Sequence, residues 1–349
     1  MKAATKRNLN FAFILGTLLL TLVIGISNNE LTNVWQALRT LSFQWLLACL
    51  GAWIVYLALD GLIIYNFLRR QNYSITYKYA LYVALMGIYY SNVTPGATGG
   101  QPMQVYYLKK RSVPIGIGSS ALTVKFFCFQ FMLLVIGGIF WITYAGFVSE
   151  QLQTAKVFLI GGYVFNSFSV GLVLLMAVNK RIVRFFIYLF IKLGTKMHIC
   201  KDPIQSTTKW EGILSTFHSS VMLIRKRPGE LMGMLLLSGL QVLSLMAVTV
   251  FVYHAFGLSG INAVRIITMA LLLYISASYT PLPGASGAQE GGFMLYFKFI
   301  FPQAQIFLGL LIWRFFTFYL SLLAGAGVTV AQSTKSILES RKKEKADDT

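Results

Sequence analysis

PGATGGQP at Pro95–Pro102 returns near the other end of the chain as PGASGAQE at Pro283–Glu290. Five of the eight positions are identical: Pro95/Pro283, Gly96/Gly284, Ala97/Ala285, Gly99/Gly287 and Gln101/Gln289. Thr98/Ser286 and Gly100/Ala288 are near-matches, and Pro102/Glu290 differs in kind. Each copy interrupts an apolar stretch that is short for its surroundings. Tyr79–Val93 runs for about 15 residues and Ile266–Tyr279 for about 14, which at 1.5 Å per residue reach about 20–22 Å, against about 30 Å of bilayer hydrocarbon. A helix that stops there frees backbone N–H and C=O groups, which lipid tolerates only where protein or a wet cavity covers them. Proline ends such a helix and glycine turns the chain.

The rest of the chain fits a membrane setting. Of 349 residues, 56% are hydrophobic and 12% charged, about half the charged share of a soluble domain; the mean hydropathy is +0.66. Leu9–Ile26, Phe43–Leu68, Ser119–Phe147, Lys156–Val178, Leu231–Gly257 and Gln305–Val330 each approach or exceed bilayer length. The first follows Lys2, Lys6 and Arg7, as a signal peptide would, but its exit, Ser27–Glu30, lacks a small-residue cleavage signature. It reads as an uncleaved span. Cys49, Cys128 and Cys200 show neither metal nor redox spacing.

The net charge of +19 is placed between spans, the topology signal of membrane proteins and not a nucleic-acid footprint. With the N-terminus in the cytoplasm, Arg39, Lys156 and Arg265 fall outside, Lys125, Lys298 and Arg314 lie in hydrophobic segments, and the rest of the 30 bases are cytoplasmic. The first short segment is flanked by Arg69, Arg70 and Lys78 before it and Lys109–Arg111 after it, so it enters and leaves on the cytoplasmic side. The second has only Arg265 in its flanks and enters from the outer side. The expected fold is an all-α polytopic membrane protein. It has about six transmembrane helices plus two re-entrant helical hairpins in an inverted repeat, an arrangement of many transporters, with both termini cytoplasmic. The membrane unit covers 1–333, with hairpins at 79–111 and 262–300, a cytoplasmic basic section at 179–230 and a charged tail at 334–349. Within the basic section, Lys180–Lys196 reads as an interfacial helix on an anionic lipid surface.

Two hairpin loops with helix N-termini facing each other would favour an anion; the alternative is that the glycines only let helices pack closely. Ionisable groups inside spans point to function. Arg314 suits bidentate phosphate binding. Lys125 is a second cation or a snorkelling base. Glu290 could take a cation, a proton or Arg314. Asp60 is either interfacial or functional. The candidate substrate-binding set is Asn92, Thr94, Pro95, Gly96, Thr98, Gly99, Gly100, Gln101 and Lys125, with Pro283, Gly284, Ser286, Gly287, Gln289, Glu290 and Arg314. No catalytic or metal-binding residues and no cofactor are expected: the chain has no H-E-x-x-H, nucleotide-binding loop or metal cluster.

Asn92–Pro102 (N-x-T-P-G-x-x-G-G-x-P) with its basic run, Pro281–Glu290 (P-x-P-G-x-x-G-x-x-E), and Arg314 with Tyr319 and Gly325 resemble the signatures of the lysylphosphatidylglycerol synthase transmembrane-region family. The resemblance covers nearly the whole chain. In multiple peptide resistance factors this region is the flippase, which moves aminoacylated phosphatidylglycerol to the outer leaflet, while a soluble domain makes the lipid. The resemblance therefore implies translocation and not the transferase, since no soluble segment here exceeds about 50 residues, the lower end of domain size. Gln101 and Val124 stand where the family often has acids; a cationic headgroup would want acids there, so other phospholipids and polyprenyl-phosphate lipids are open as substrates.

The expected function is thus a lipid flippase in the bacterial cell (inner) membrane for an anionic or aminoacylated phospholipid or a polyprenyl-phosphate lipid. The alternatives are a phosphatidylglycerol lysyltransferase-type enzyme or the membrane part of an aminoacyl- or glycosyl-lipid pathway, and a small-solute transporter. The expected partners are the lipid substrate and anionic lipid, without nucleic acid; homo-oligomerisation is compatible with the sequence.

Overall fold

The computed structural model describes residues 41–153, 155–179, 181–185, 188–189 and 203–347. The expected span Leu9–Ile26 and most of the expected interfacial helix lie outside them. All regular structure among the described residues is helical: α1 Phe43–Arg70, α2 Tyr77–Asn92, α3 Gly100–Lys109, α4 Ile115–Thr143, α5 Ala145–Gln151, α6 Lys156–Val178, α7 Pro203–Arg225, α8 Pro228–Ala255, α9 Ala263–Ala277, α10 Ala288–Phe297, α11 Gln303–Arg314 and α12 Leu320–Asp347. A π-helical turn, Phe315–Tyr319, joins α11 to α12 without ending the rod.

Five of these helices are long and apolar enough to cross a membrane: α1, α4, α6, α8 and Gln303–Gln332. They correspond to the five expected spans that fall on described residues. Their ends follow local chemistry. Pro228 opens α8 where a missing N–H costs nothing, and Pro114 and Pro302 precede the first residues of α4 and α11. Thr76 and Asn262 cap α2 and α9, their side-chain oxygens accepting from the amides of Tyr79 and Val264.

Both short segments are helical hairpins. The arms of the first run side by side along their length. Near its open end the Tyr79 hydroxyl donates to the carbonyl of Tyr107 (2.6 Å); further in, Gln104 donates to the carbonyl of Val83 (3.1 Å). Near the loop, Gly100 lies so close to α2 that a Cβ would stand 2.6 Å from the carbonyl oxygen of Gly87. Here the close-packing role of a glycine holds. In the second hairpin Leu273 packs on Gly292, and the hydroxyls of Ser276 and Tyr296 are 2.6 Å apart. With arms of 16 and 10 residues in one and 15 and 10 in the other, no arm exceeds about 24 Å, so none alone crosses the hydrocarbon.

The same succession therefore occurs twice. A 28-residue helix, a hairpin, then a 29-residue helix form the first unit (α1–α4); 28 residues, a hairpin, then 30 form the second (α8–α12). Each unit has its own apolar core. Ile64, Phe67, Val83, Met86, Leu108 and Leu122 anchor the first, and Met269, Leu272, Phe293, Phe297, Phe307 and Trp313 the second. The leading helices α1 and α8 pack along each other and join the two.

The basic section departs from expectation in one respect. It contains α7, which packs on α4. Leu214, His218 and Ser220 are buried, and Gly116 of α4 sits against the backbone of Ile213. The expected tail is helical as well, a continuation of α12 to Asp347.

Candidate functional site

The two Pro-Gly turns share one backbone shape. Pro95–Ala97 and Pro283–Ala285 each form a single 3-10 turn. Gly96 and Gly284 have φ of 57° and 60°, and Ala97 and Ala285 follow at 56° and 50°. Two successive left-handed residues, the first a glycine, reverse the chain within one turn. Beyond the alanine the copies diverge: Gly99 has a helical φ of −83°, whereas Gly287 has 86°. The turns touch, with the Gly96 amide donating to the carbonyl of Pro281 at 2.8 Å.

They are held differently. In the second, Arg314 Nε donates to Glu290 Oε1 (2.5 Å) and Nη2 to the carbonyl of Gly284 (2.9 Å). Glu290 Oε2 accepts from the Gly287 amide at 2.6 Å, one half of a capping box. One buried ion pair thus clamps both sides of the turn and places a carboxylate on the N-terminus of α10. In the first, Pro102 stands where Glu290 would be, and the neutral Thr94 hydroxyl serves instead. It accepts from the Gly99 amide (2.8 Å) and donates to the carbonyl of Tyr90 (2.6 Å). Pro95, Gly96, Ala97 and Thr98 are exposed, whereas Pro283, Ser286, Gln289 and Glu290 are buried.

Lys125 occupies the place in the first unit that Arg314 occupies in the second, about three turns into the long helix after the hairpin. Without a loop acid, it turns to α1: Lys125 Nζ lies 2.8 Å from Asp60 Oδ2, with side-chain exposures of 14% and 7%. Gln241 of α8 donates to Asp60 Oδ1 at 2.9 Å. Asp60 is therefore buried and paired. Lys298, by contrast, is exposed, with its ammonium over the ring of Phe299.

Both arrangements face one cavity of about 910 Å3. Its walls include Gly96, Ala97, Thr98 and Gln101 from the first loop and its following helix, and Leu282, Gly284, Ala285 and Gln289 from the second. Asp60, Lys125 and Arg314 are its charged lining, Asn92, Gln104, Gln130, Asn166 and Gln241 add amides, and Trp53, Tyr56 and Tyr274 are among its aromatic walls.

Of the expected binding residues, Asn92, Gly96, Thr98, Gln101, Lys125, Gly284, Gln289 and Arg314 reach the cavity. Thr94, Pro95, Gly99, Gly100, Pro283, Ser286, Gly287 and Glu290 are not in its wall; they shape or clamp the loops behind it. Arg314 is committed by two of its donors to the second loop. Two contributors escaped sequence reasoning. Gln241 gave a signal, a lone amide in the apolar run Leu231–Gly257. Asn166 of α6 is the other: it accepts from Gln130 (2.8 Å) and donates to the Ser278 hydroxyl (2.5 Å) and the carbonyl of Gly162 (2.7 Å), joining α4, α6 and α9 at the cavity edge. Asn166→Ala should lower stability by about 1–3 kcal/mol, because its buried partners lose their bonds. Thermal unfolding in detergent measures this, and an unchanged midpoint would show that the cluster holds nothing.

The two Pro-Gly motifs and Arg314, on which the sequence resemblance rested, come together at this one cavity. Residues 9–325 match the family described as the lysylphosphatidylglycerol synthase TM region. The chain belongs to that family. It is accordingly a multi-pass membrane protein, and its match is to the membrane region of the family's namesake. No curated protein matches it. The buried clamp Arg314–Glu290 holds the second loop, and the pair Lys125–Asp60 lies on the cavity wall between α4 and α1.

Proposed function

We propose that this protein is a lipid translocase of the bacterial cell membrane that moves a phosphate-bearing lipid, a phospholipid or a polyprenyl-phosphate lipid, between leaflets. The observation that carries this reading is the meeting of both Pro-Gly loops, Lys125 and Arg314 on a single cavity of about 910 Å3, within the size range of small-ligand sites. In this reading the hairpins are re-entrant and enter from opposite faces, with both termini cytoplasmic. Two observations support that sidedness. The open end of the first hairpin carries Lys78, Lys109, Lys110 and Arg111, whereas that of the second carries Arg265 and Lys298. The tips nevertheless touch at Gly96 and Pro281, as hairpins entering from opposite faces would at mid-membrane. Rocking of one unit against the other along α1 and α8 would then expose the cavity to each side in turn.

Reconstituted in vesicles, the protein should redistribute a fluorescent phospholipid between leaflets, read by chemical quenching of the outer leaflet. Thr98→Trp, at an exposed position on the cavity wall, should block the movement while leaving thermal unfolding unchanged. Vesicles with protein that move neither phospholipid nor polyprenyl phosphate would refute the translocase, and uptake of a small solute through the same cavity would replace it.

A further inference from the structure

The cavity's charges balance, and this deepens the translocase reading, on which it rests. Among the described residues, the charged side chains in the cavity wall are Asp60, Lys125 and Arg314, and the acid paired with Arg314 is Glu290. Two bases thus meet two acids in a low-dielectric interior, where a net charge brought in by a ligand is penalised and a balanced ligand is not. We propose that the translocated lipid carries a zwitterionic headgroup of zero net charge, its phosphate held by Lys125 and its ammonium by Asp60 and Gln241.

Hydrogen-bonding capacity separates the two ion pairs. Glu290 is buried behind the wall, with both oxygens engaged. Asp60 and Lys125 are on the wall and keep capacity in hand. Lys125 directs one N–H of three to Asp60, leaving donors for a phosphate oxygen. Each oxygen of Asp60 takes one donor, from Lys125 or Gln241, leaving acceptor positions for an ammonium. Gln241 adds to the same pole. Because its amide nitrogen is fixed on Asp60, its other atom is necessarily the acceptor Oε1, which is buried and has no partner among the described residues. The Thr249 hydroxyl, about two turns further along α8, is likewise without a partner among the described residues and lines the cavity. Trp53 and Tyr56 precede Asp60 on the cavity side of α1, at spacings that put all three on one face, and offer aromatic surface to an ammonium. The pair can therefore receive both ends of a zwitterion without separating. An anionic headgroup would use only Lys125 and leave its charge uncompensated.

The test compares fluorescent phosphatidylethanolamine, phosphatidylglycerol and glucosyl-diacylglycerol in vesicles holding the full chain. Phosphatidylethanolamine should cross at least about tenfold faster than phosphatidylglycerol, the ratio that a modest uncompensated charge produces. Asp60→Asn, which leaves a base in excess, should raise the phosphatidylglycerol-to-phosphatidylethanolamine ratio; Lys125→Gln should lower it. The double variant, neutral again, should return towards the original ratio, which separates charge selection from a folding defect in either single variant. Equal rates for the two phospholipids, single variants that leave the ratio unmoved, or glucosyl-diacylglycerol crossing fastest would each overturn the zwitterion while leaving a translocase standing. Movement of none of the three would overturn the zwitterion, and would remove the translocase as well only if polyprenyl phosphate is not moved either.

Discussion

Arg314→Met should destabilise the protein by about 3–5 kcal/mol, because it leaves Glu290 as a buried carboxylate without its counter-charge. The clamp is deep: the side chains of Arg314 and Glu290 are 5% and 2% exposed. Loss of the arginine also frees the Gly284 carbonyl, which accepts from Nη2, so the second loop loses its tie from both directions. The penalty comes from the stranded acid more than from the value of the pair. Replacing both partners by apolar groups of similar volume is often neutral, so Arg314→Met with Glu290→Met should recover much of the loss. Glu290 also caps Gly287, and that part, about 1 kcal/mol, stays lost in the double variant. Thermal unfolding in detergent measures all three. A single variant that melts with the parent, or a double variant no better than the single, would show that the pair is not what holds the loop.

Gly284→Ala should be much more damaging than Gly96→Ala, although both glycines have nearly the same φ. Each substitution incurs left-handed strain of about 1–2 kcal/mol. At Gly96 nothing else happens, since the nearest atom to a new Cβ is a methyl of Thr98 at 3.9 Å. At Gly284 a Cβ would overlap the ring of Phe318. That ring cannot withdraw freely: it is buried, and the guanidinium of Arg314 stands 4.6 Å from its centroid on the π turn. Overpacking there adds about 1–3 kcal/mol, and displacing Phe318 disturbs the Arg314 clamp as well. Unfolding midpoints of the two variants give the comparison, and Phe318→Leu in the Gly284→Ala background should return part of the difference. Equal losses at the two glycines would mean that the loops are held alike, against the charge asymmetry described above.

That asymmetry was partly legible. Pro102 opposite Glu290 is visible in the aligned text, and Arg314 was one of the partners open to Glu290 from the sequence. What could not be read was that Lys125, lacking a loop acid, would turn to Asp60, which is 65 positions away. Hydropathy gives a residue's depth along a span and says little about the direction in which it points, so the partners of Asp60 could not be read from the sequence. Gln241 belongs to the other unit and meets Asp60 only because α1 and α8 pack along each other. The helix α7 went unread for another reason. Its setting is basic, and its spaced apolar residues, Trp210, Leu214, Phe217 and Val221, were masked by that charge.

By itself the sequence determined the membrane setting, the five spans that fall on described residues, and the two breaks with their repeated Pro-Gly-Ala turns. These are local matters: a run of apolar residues selects a spanning helix, and proline and glycine decide where it stops and how it turns. Only the tertiary structure decided which acid each buried base takes, which loop is clamped and which half of the expected site reaches the cavity. A charge inside a low-dielectric core takes the opposite charge that packing brings beside it, and that neighbour is set by how distant helices face one another.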